Sequence, residues 1–295
     1  MITLGFRLRS PFSGVMDYTG VGLRAAFLNL LKNYDHELSG KVHDSSAVRS
    51  YSLTPFPCNN RFQTFFDEGE EYNFTVNLFD VGKYRDVLRH IATSQNRSLR
   101  LHHQRFPILG IDYSTRNPER MMEDWASPLS TYDKSEIHVS MKFQTPTQLS
   151  HFGSDKAYLL PDPEKIFSGL LKVWNTMQDA TVVERTSSYR DWIASNVYIR
   201  KHNILTQEVS LGRKRKLIGF VGTLVFSIRN RSSPFLPLTI GLLRFAEYCN
   251  IGKNRTAGFG RVSVRMTIDA EKEKEGEQDN VHTSRGREAE TTSKI

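Results

Sequence analysis

Near its C-terminal end the chain reads I-G-K-N-R-T-A-G-F-G-R-V, from Ile251 to Val262. Gly252, Gly258 and Gly260 stand there among Lys253, Asn254, Arg255 and Arg261. Glycines let a backbone come close to a phosphate, and the cations would neutralise it. The plainer reading is a glycine-rich turn with exposed charges. Two nucleotide motifs fail on spacing and context. A P-loop needs four residues between its glycines and a Lys–Ser/Thr pair after the second, whereas here five intervene and Phe259 follows Gly258. A dinucleotide fingerprint lies between a strand and a helix, whereas here a helical pattern precedes and the β-prone run RVSVRMTI follows. A second cluster, Arg213-Lys214-Arg215-Lys216, sits between two β-prone runs. A hairpin there projects four charges, either to a polyanion or to water. His36 and His43 lie in a polar stretch from Tyr34 to Arg49. An imidazole with a pKa of about 6.5 moves protons at neutral pH, although a lone loop histidine is more often a surface residue. No acidic cluster has metal-ligand spacing. The two cysteines, Cys58 and Cys249, form no C-x-x-C pair, so zinc ribbons and iron–sulfur clusters are not expected.

The charge is uneven. The 295 residues carry a net +8. From Asp269 to the end there are eight acidic and five basic side chains, so the first 268 residues hold +11. A basic body with a mildly acidic tail points to a polyanionic partner. Met1 to Leu8 alternates polar and apolar residues, unlike a secretory leader. The longest apolar stretch, Leu217 to Ile228, has 12 residues and falls short of the roughly 20 that span a bilayer. A soluble, cytoplasmic protein with no membrane partner is expected.

The elements that must hold these residues follow from periodicity. Ile2–Arg9 reads as a strand and Gly20–Asn33 as a helix. Tyr51–Phe56 and Tyr72–Phe79 read as strands, 82–92 as a helix and Leu99–Tyr113 as β structure. Pro161–Gln178 carries the clearest helical stripe, Ile166, Leu170, Val173 and Trp174, behind an Asp162 cap and Pro163. Ile137–Phe143, Val197–Glu208, Lys216–Arg229 and Arg261–Ile268 read as strands, and Leu238–Cys249 as a helix. Each half runs strand, helix, strand, strand, helix, strand, the ferredoxin-like split βαβ order. The expected domains are 1–115 and 136–268, joined by a linker over 116–135. The tail 269–295 is too polar to order itself.

A helix followed by G-x-x-x-x-x-G-F-G-R-V resembles the signature loop of the CRISPR-associated RAMP proteins. Three further runs narrow the likeness to the repeat-cleaving endoribonucleases, the sixth Cas family. LRAAFLNLL, LSGKVHDSS and RSYSLTPF are similar to that family's first helix, active-site loop and second strand. KLIGFVGTLVFSI resembles its strand before the last helix.

The resemblance implies an α+β fold: two tandem ferredoxin-like (RRM-like) domains packed across a cleft. It implies cleavage of precursor CRISPR RNA within the repeats, without metal or other cofactor, leaving a 2′,3′-cyclic phosphate and a 5′-hydroxyl. His43, just after the first helix, and Arg49, six residues on, match the family's histidine and basic residue. The family's helix tyrosine has no counterpart; Tyr34, with Tyr18 and Tyr51, is the nearby candidate. RNA supplies its own nucleophile, the 2′-hydroxyl, which His43 would deprotonate while Arg49 steadies the phosphate charge. Arginine stays charged and cannot be the acid. The implied RNA contacts are Arg213–Lys216, the Gly-rich loop and Arg24 on the first helix. His102, His103 and His202 are structural or RNA-facing. Other Cas effector subunits and a second copy of the chain are further partners. A catalytically inactive RAMP subunit holding guide RNA is the competing reading.

Overall fold

A computed structural model of the chain describes residues 1–34, 48–80, 98–117, 137–151, 154–177, 186–212, 215–229 and 233–268, with scattered positions between 82 and 91 and between 120 and 124. In β1 (Ile2–Arg9), Ile2, Leu4, Phe6 and Leu8 are buried and their neighbours are not, as strand alternation requires. A short strand, β2 (Gly14–Met16), leads into α1 (Gly20–Tyr34), which buries Leu23, Phe27 and Leu31. There follow β3 (Tyr51–Thr54), β4 (Thr64–Phe66), β5 (Glu71–Leu78), β6 (Ser98–Leu101) and β7 (Gln104–Thr115). The sheet order is β3-β5-β1-β7-β6, antiparallel throughout, and β2 pairs with β4 as a separate ribbon. Phe6 stands directly opposite Phe74, with the rings stacked 4.6 Å apart. Such cross-strand pairs fix register.

The second half repeats the plan. It contains β8 (Ile137–Thr147), β9 (Leu149–His151), β10 (Ser154–Tyr158), α2 (Pro163–Trp174), α3 (Thr186–Asn196), β11 (Val197–Ser210), β12 (Lys216–Ile228), α4 (Phe235–Cys249) and β13 (Val262–Ile268). Its sheet order is β11-β12-β8-β13. Counting only the strands of each sheet, the first lies between the third and the last, and the second lies outside the third. The fold is therefore two tandem ferredoxin-like units, as the sequence pattern implied. Asp162 caps α2, its carboxylate accepting from the Lys165 N–H at 3.2 Å.

Three elements were not legible: the β2–β4 ribbon, the β9–β10 ribbon and α3. The α3 sequence, TSSYRDWIASN, is poor in strong helix formers. Packing holds it instead, through buried Tyr189, Trp192 and Ile193. The α4 helix starts three residues earlier than expected, at Phe235. The stretch expected as a linker opens inside β7's pairing, where the Met1 amine donates to the Arg116 carbonyl at 2.9 Å. Its described part includes Met121, which is buried in the second unit's core. The tail from 269 lies outside the described residues. Among those residues no helix is long and apolar enough to cross a membrane.

Each sheet backs onto its own core, but the cores meet. Met1 and Phe79, from the first unit, are buried among second-unit side chains, and Phe79 lies edge-on to Phe245 at 5.3 Å. Burying one such ring is worth about 1.5–3 kcal/mol. That seam carries the candidate site along its edge.

Candidate active site

After α4 the chain must turn sharply and enter β13. Asn250 (φ 59°) makes the first bend, and its side-chain amide donates across the seam to the Leu53 carbonyl at 2.9 Å and back to the Arg255 carbonyl at 3.1 Å. The three glycines of the loop all have a steric reason, seen most plainly at two of them. Gly258 (φ 79°) packs so closely on the first unit that a Cβ would stand 2.6 Å from Pro55 Cδ. Gly260 (φ 73°) crosses the Ile251 backbone, where a Cβ would be 1.8 Å from the carbonyl oxygen. The close approach that glycine permits is thus used, at these two positions, by the protein's own chain. Tyr18 closes the contact from the other side, its ring 4.5 Å from that of Phe259.

Arg255 sits in the short turn Arg255–Ala257 and points back into the seam. Its Nη1 donates to the Cys249 carbonyl and its Nη2 to the Arg49 carbonyl, both at 3.0 Å. The Gly-rich loop therefore grips the backbone of the residue that leads into β3. Around Tyr51, the first residue of β3, three guanidinium groups converge: Arg24 from α1, Arg49 and Arg255. Burial lowers the pKa of Arg49 and the repulsion of Arg24 lowers it further, with Tyr51 opposing. Burial also lowers that of Arg255; Cys249 and Tyr51 oppose this and Arg49 reinforces it. The buried Tyr51 phenol is pushed up by desolvation, tempered by Arg24, Thr256 and Arg49. Among the described residues no carboxylate pairs with any of the three arginines. Arg49 Nε is buried without a hydrogen-bond partner there, whereas the Tyr51 hydroxyl faces Thr256 and Arg24. Clustered like charges and unpaired donors are costly without an anion to neutralise them. An anion placed there would relieve the repulsion.

Beside this cluster lies a cavity of about 290 Å³, lined by Arg49, Lys253, Asn254, Arg255 and Thr256 among others. A second cavity of about 350 Å³ shares Val48, Gly252 and Arg255 with it and runs along α2. The structure thus brings Arg24, Arg49, Gly252, Lys253, Asn254 and Arg255 together. Arg261 points elsewhere: its charge is felt by Tyr18 and Cys58, and its N–H donates to Thr145 Oγ1 at 2.8 Å. At the β11–β12 turn, Arg215 closes the hairpin through its backbone, and Lys216 Nζ pairs with Glu208 Oε1 at 2.6 Å. Arg213 and Lys214 lie outside the described residues, as do His36 and His43; Tyr34 is the last residue of α1. His102, His103 and His202 are exposed on or between strands. His138, which no sequence motif marks, is buried with both ring nitrogens engaged: Ser227 Oγ at 2.7 Å from Nδ1 and Arg200 Nη1 at 2.7 Å from Nε2. Thr256 and Asn250 were also missed. Asparagine is one of the few non-glycine residues that tolerate positive φ, so its place directly after a helical run could have marked Asn250. Nothing in the sequence marks Thr256 out from other loop threonines.

Two tandem ferredoxin-like units thus meet along a seam that the glycine-rich loop of the second unit bridges, with a cationic pocket beside it. The comparisons agree. Residues 141–262 match the family model described as CRISPR-associated endoribonuclease Cas6, which bears out the resemblance read in the sequence. The chain is similar to a Cas6 (TTHB231) product complex at 17% identity and TM-score 0.71, covering 90% of this chain and 98% of that one. A structure of Thermus thermophilus Cas6 (TTHB231) is 18% identical, with TM-score 0.61, 90% of this chain and 98% of that one covered. A Cas6 (TTHA0078) product complex is 20% identical, with TM-score 0.65, 90% of this chain and all of that one covered. A RAMP protein binding different RNA substrates is 10% identical, with TM-score 0.54 and coverage of 90% and 100%. Among curated proteins none matches by sequence.

Proposed function

We propose that the chain is a metal-independent endoribonuclease that binds precursor CRISPR RNA and cleaves it within each repeat. The observation that carries this is the trio Arg24, Arg49 and Arg255 around Tyr51, unneutralised by any carboxylate among the described residues, with Arg49 and Arg255 lining a cavity. A phosphodiester is the anion that such a site fits. His43, six residues before Arg49 in sequence, takes the 2′-hydroxyl proton. The hydroxyl oxygen attacks the phosphorus, the bond to the 5′-oxygen breaks, and a 2′,3′-cyclic phosphate and a 5′-hydroxyl result. The arginines hold the charge that builds on the non-bridging oxygens, and bidentate contact fixes the phosphate's orientation. The leaving oxygen takes its proton from the imidazolium, from a tyrosine such as Tyr34, or from water. Product complexes of Cas6 among the similar structures, and a histidine-to-alanine mutant of Cas6 (TTHA0078), support this reading. The partner Cas proteins seen with fold relatives in a Cas6-RT-Cas1–Cas2 complex make a Cas assembly the expected recipient of the product.

The test is single-turnover cleavage of the repeat RNA from the adjacent array, with and without EDTA. His43→Ala should lose at least about 100-fold in rate while still binding the RNA, and EDTA should change neither protein. Full activity in the variant removes His43 from the mechanism; binding without any cleavage by the wild type favours the inactive RAMP subunit.

A further inference from the structure

In the second unit's sheet, Val139, Met141 and Phe143 of β8 point into the core, so His138, Ser140 and Lys142 lie on the opposite face. Register sets Arg265 beside Ser140 on that face, and Lys201 opposite Val225, whose other neighbour is the same Ser140. Lys142, Lys201 and Arg265 are exposed. Arg200 joins them at the irregularity of β11, its guanidinium donating to His138 Nε2 at 2.7 Å. Among the described residues no carboxylate stands on this stretch of the face. With strands about 4.8 Å apart, the cations occupy a strip about 14 Å wide.

The chain leaves β13 beside this strip and continues D-A-E-K-E-K-E-G-E-Q-D over 269–279. A carboxylate falls at every odd position of that run, and Lys272 and Lys274 fall at even ones. In an extended chain such alternation gathers all six carboxylates on one side and both lysines on the other. A helix would scatter them round its axis. The run carries a net −4, six acids against two lysines. Eleven extended residues reach roughly 36 Å, so the run can bend back at its start and still cross the strip. The outer edge of β13 is the rival place for it, and that edge is capped. There the Val264 N–H donates to Glu247 Oε1 and the Val264 carbonyl accepts from Arg244 Nη1, both from α4, which blocks strand addition.

We propose that residues 269–279 dock within the same chain across this face, their carboxylates on Lys142, Lys201 and Arg265, and so cover a surface that RNA phosphates would otherwise take. The docking stands on charge, alternation and reach; its effect on RNA rests on the endoribonuclease reading. Exposed ion pairs are individually weak, but tethering holds the partner at a millimolar effective concentration. The cover therefore stays in place at low salt and yields to a longer polyanion. RNA that relies on charge alone must displace it, and binds less well for that reason.

The probe is a zero-length carbodiimide, which joins a carboxylate to an amine in contact with it. It is applied to the full chain at low salt, as an equal mixture of isotopically light and heavy protein, and read by peptide mass spectrometry. Cross-links from Glu271, Glu273 or Glu275 to Lys142 or Lys201 should form within one copy. They should fade at about 0.5 M salt, where charges are screened beyond about 4 Å. Arg265→Gln removes neither reacting group and should lower their yield about twofold. No such cross-link, a yield indifferent to salt and to Arg265→Gln, or light–heavy products in place of same-copy ones overturns the docking. Neutralising the run (Asp269→Asn, Glu271→Gln, Glu273→Gln, Glu275→Gln, Glu277→Gln, Asp279→Asn) should tighten the binding of unrelated single-stranded RNA about fivefold at low salt, the factor for a face covered about four-fifths of the time. The gain should shrink in the Arg265→Gln background. Equal affinity, or a gain undiminished in that background, overturns the covering role. A chain that cross-links as expected but neither binds nor cleaves the repeat takes down the endoribonuclease reading alone; one that cleaves normally without the cross-links takes down only the docking.

Discussion

Replacing Arg49 by methionine should stabilise the fold and disable the enzyme at once. Arg49 is half-buried, feels the repulsion of Arg24, and keeps Nε buried without a partner among the described residues. Like unit charges at close range repel by about 1 kcal/mol in water-like surroundings and by up to about 4 kcal/mol as the effective permittivity falls to about 20. Partial exposure places this site near the lower end. An unmade hydrogen bond on a buried group adds about 1 kcal/mol or more. Methionine keeps most of the apolar stem, and the Arg49 carbonyl that Arg255 grips is backbone and survives the change. The net gain should be about 1 kcal/mol, or about 2–4 °C in Tm. Arginine stays protonated throughout the accessible range, so the gain should be flat with pH; salt should shrink it. Cleavage should fall about 100- to 1,000-fold, the usual effect of deleting a group that stabilises transition-state charge. The assays are thermal unfolding at low and high salt and single-turnover cleavage. A Tm that drops by several degrees would mean that the guanidinium is a structural strut; an unchanged rate would mean that it does not touch the phosphate.

Three other outcomes can be checked with little effort. Gly260→Ala should destabilise the protein by about 2 kcal/mol or more, because φ is 73° and the new methyl would meet the Ile251 carbonyl; thermal unfolding reads this directly. Thiol titration at pH 8 should find exposed Cys58 reacting in the folded protein and Cys249 only after denaturation, since burial pushes the latter's pKa up to about 12. Changing Arg213, Lys214, Arg215 and Lys216 to serine should flatten the salt dependence of RNA binding by about 0.7–0.9 for each phosphate that is no longer neutralised, with little cost to folding, because the Lys216–Glu208 pair is exposed.

The sequence carried the architecture well because both units obey simple periods. Ile2, Leu4, Phe6 and Leu8 alternate, and the stripe on α2 recurs at helical spacing, so each element announces its buried face. It said less where packing overrides local preference. The α3 helix is made of residues that favour turns, and buried Tyr189, Trp192 and Ile193 hold it in place. The site was partly legible. Arg49, Lys253, Asn254 and Arg255 were named from motifs, yet their grouping was not, because Arg255 reaches Arg49 across 206 positions of chain. The motif also suggested that the glycines face a ligand. At Gly258 and Gly260 they face Pro55 and Ile251 instead, a distinction that needs φ and neighbours rather than spacing. Thr256 and Asn250 act through geometry that no single-residue signal carries.

Phe79 leaves the end of the first sheet and inserts beside Phe245, and Met1 does the same from the strand next to it. Two halves stitched in this way cannot swing apart as a hinged jaw without exposing aromatic surface. The mouth of the pocket is accordingly preset, and any fitting on encounter falls to the incoming strand, which must bend to the protein rather than be enclosed by it.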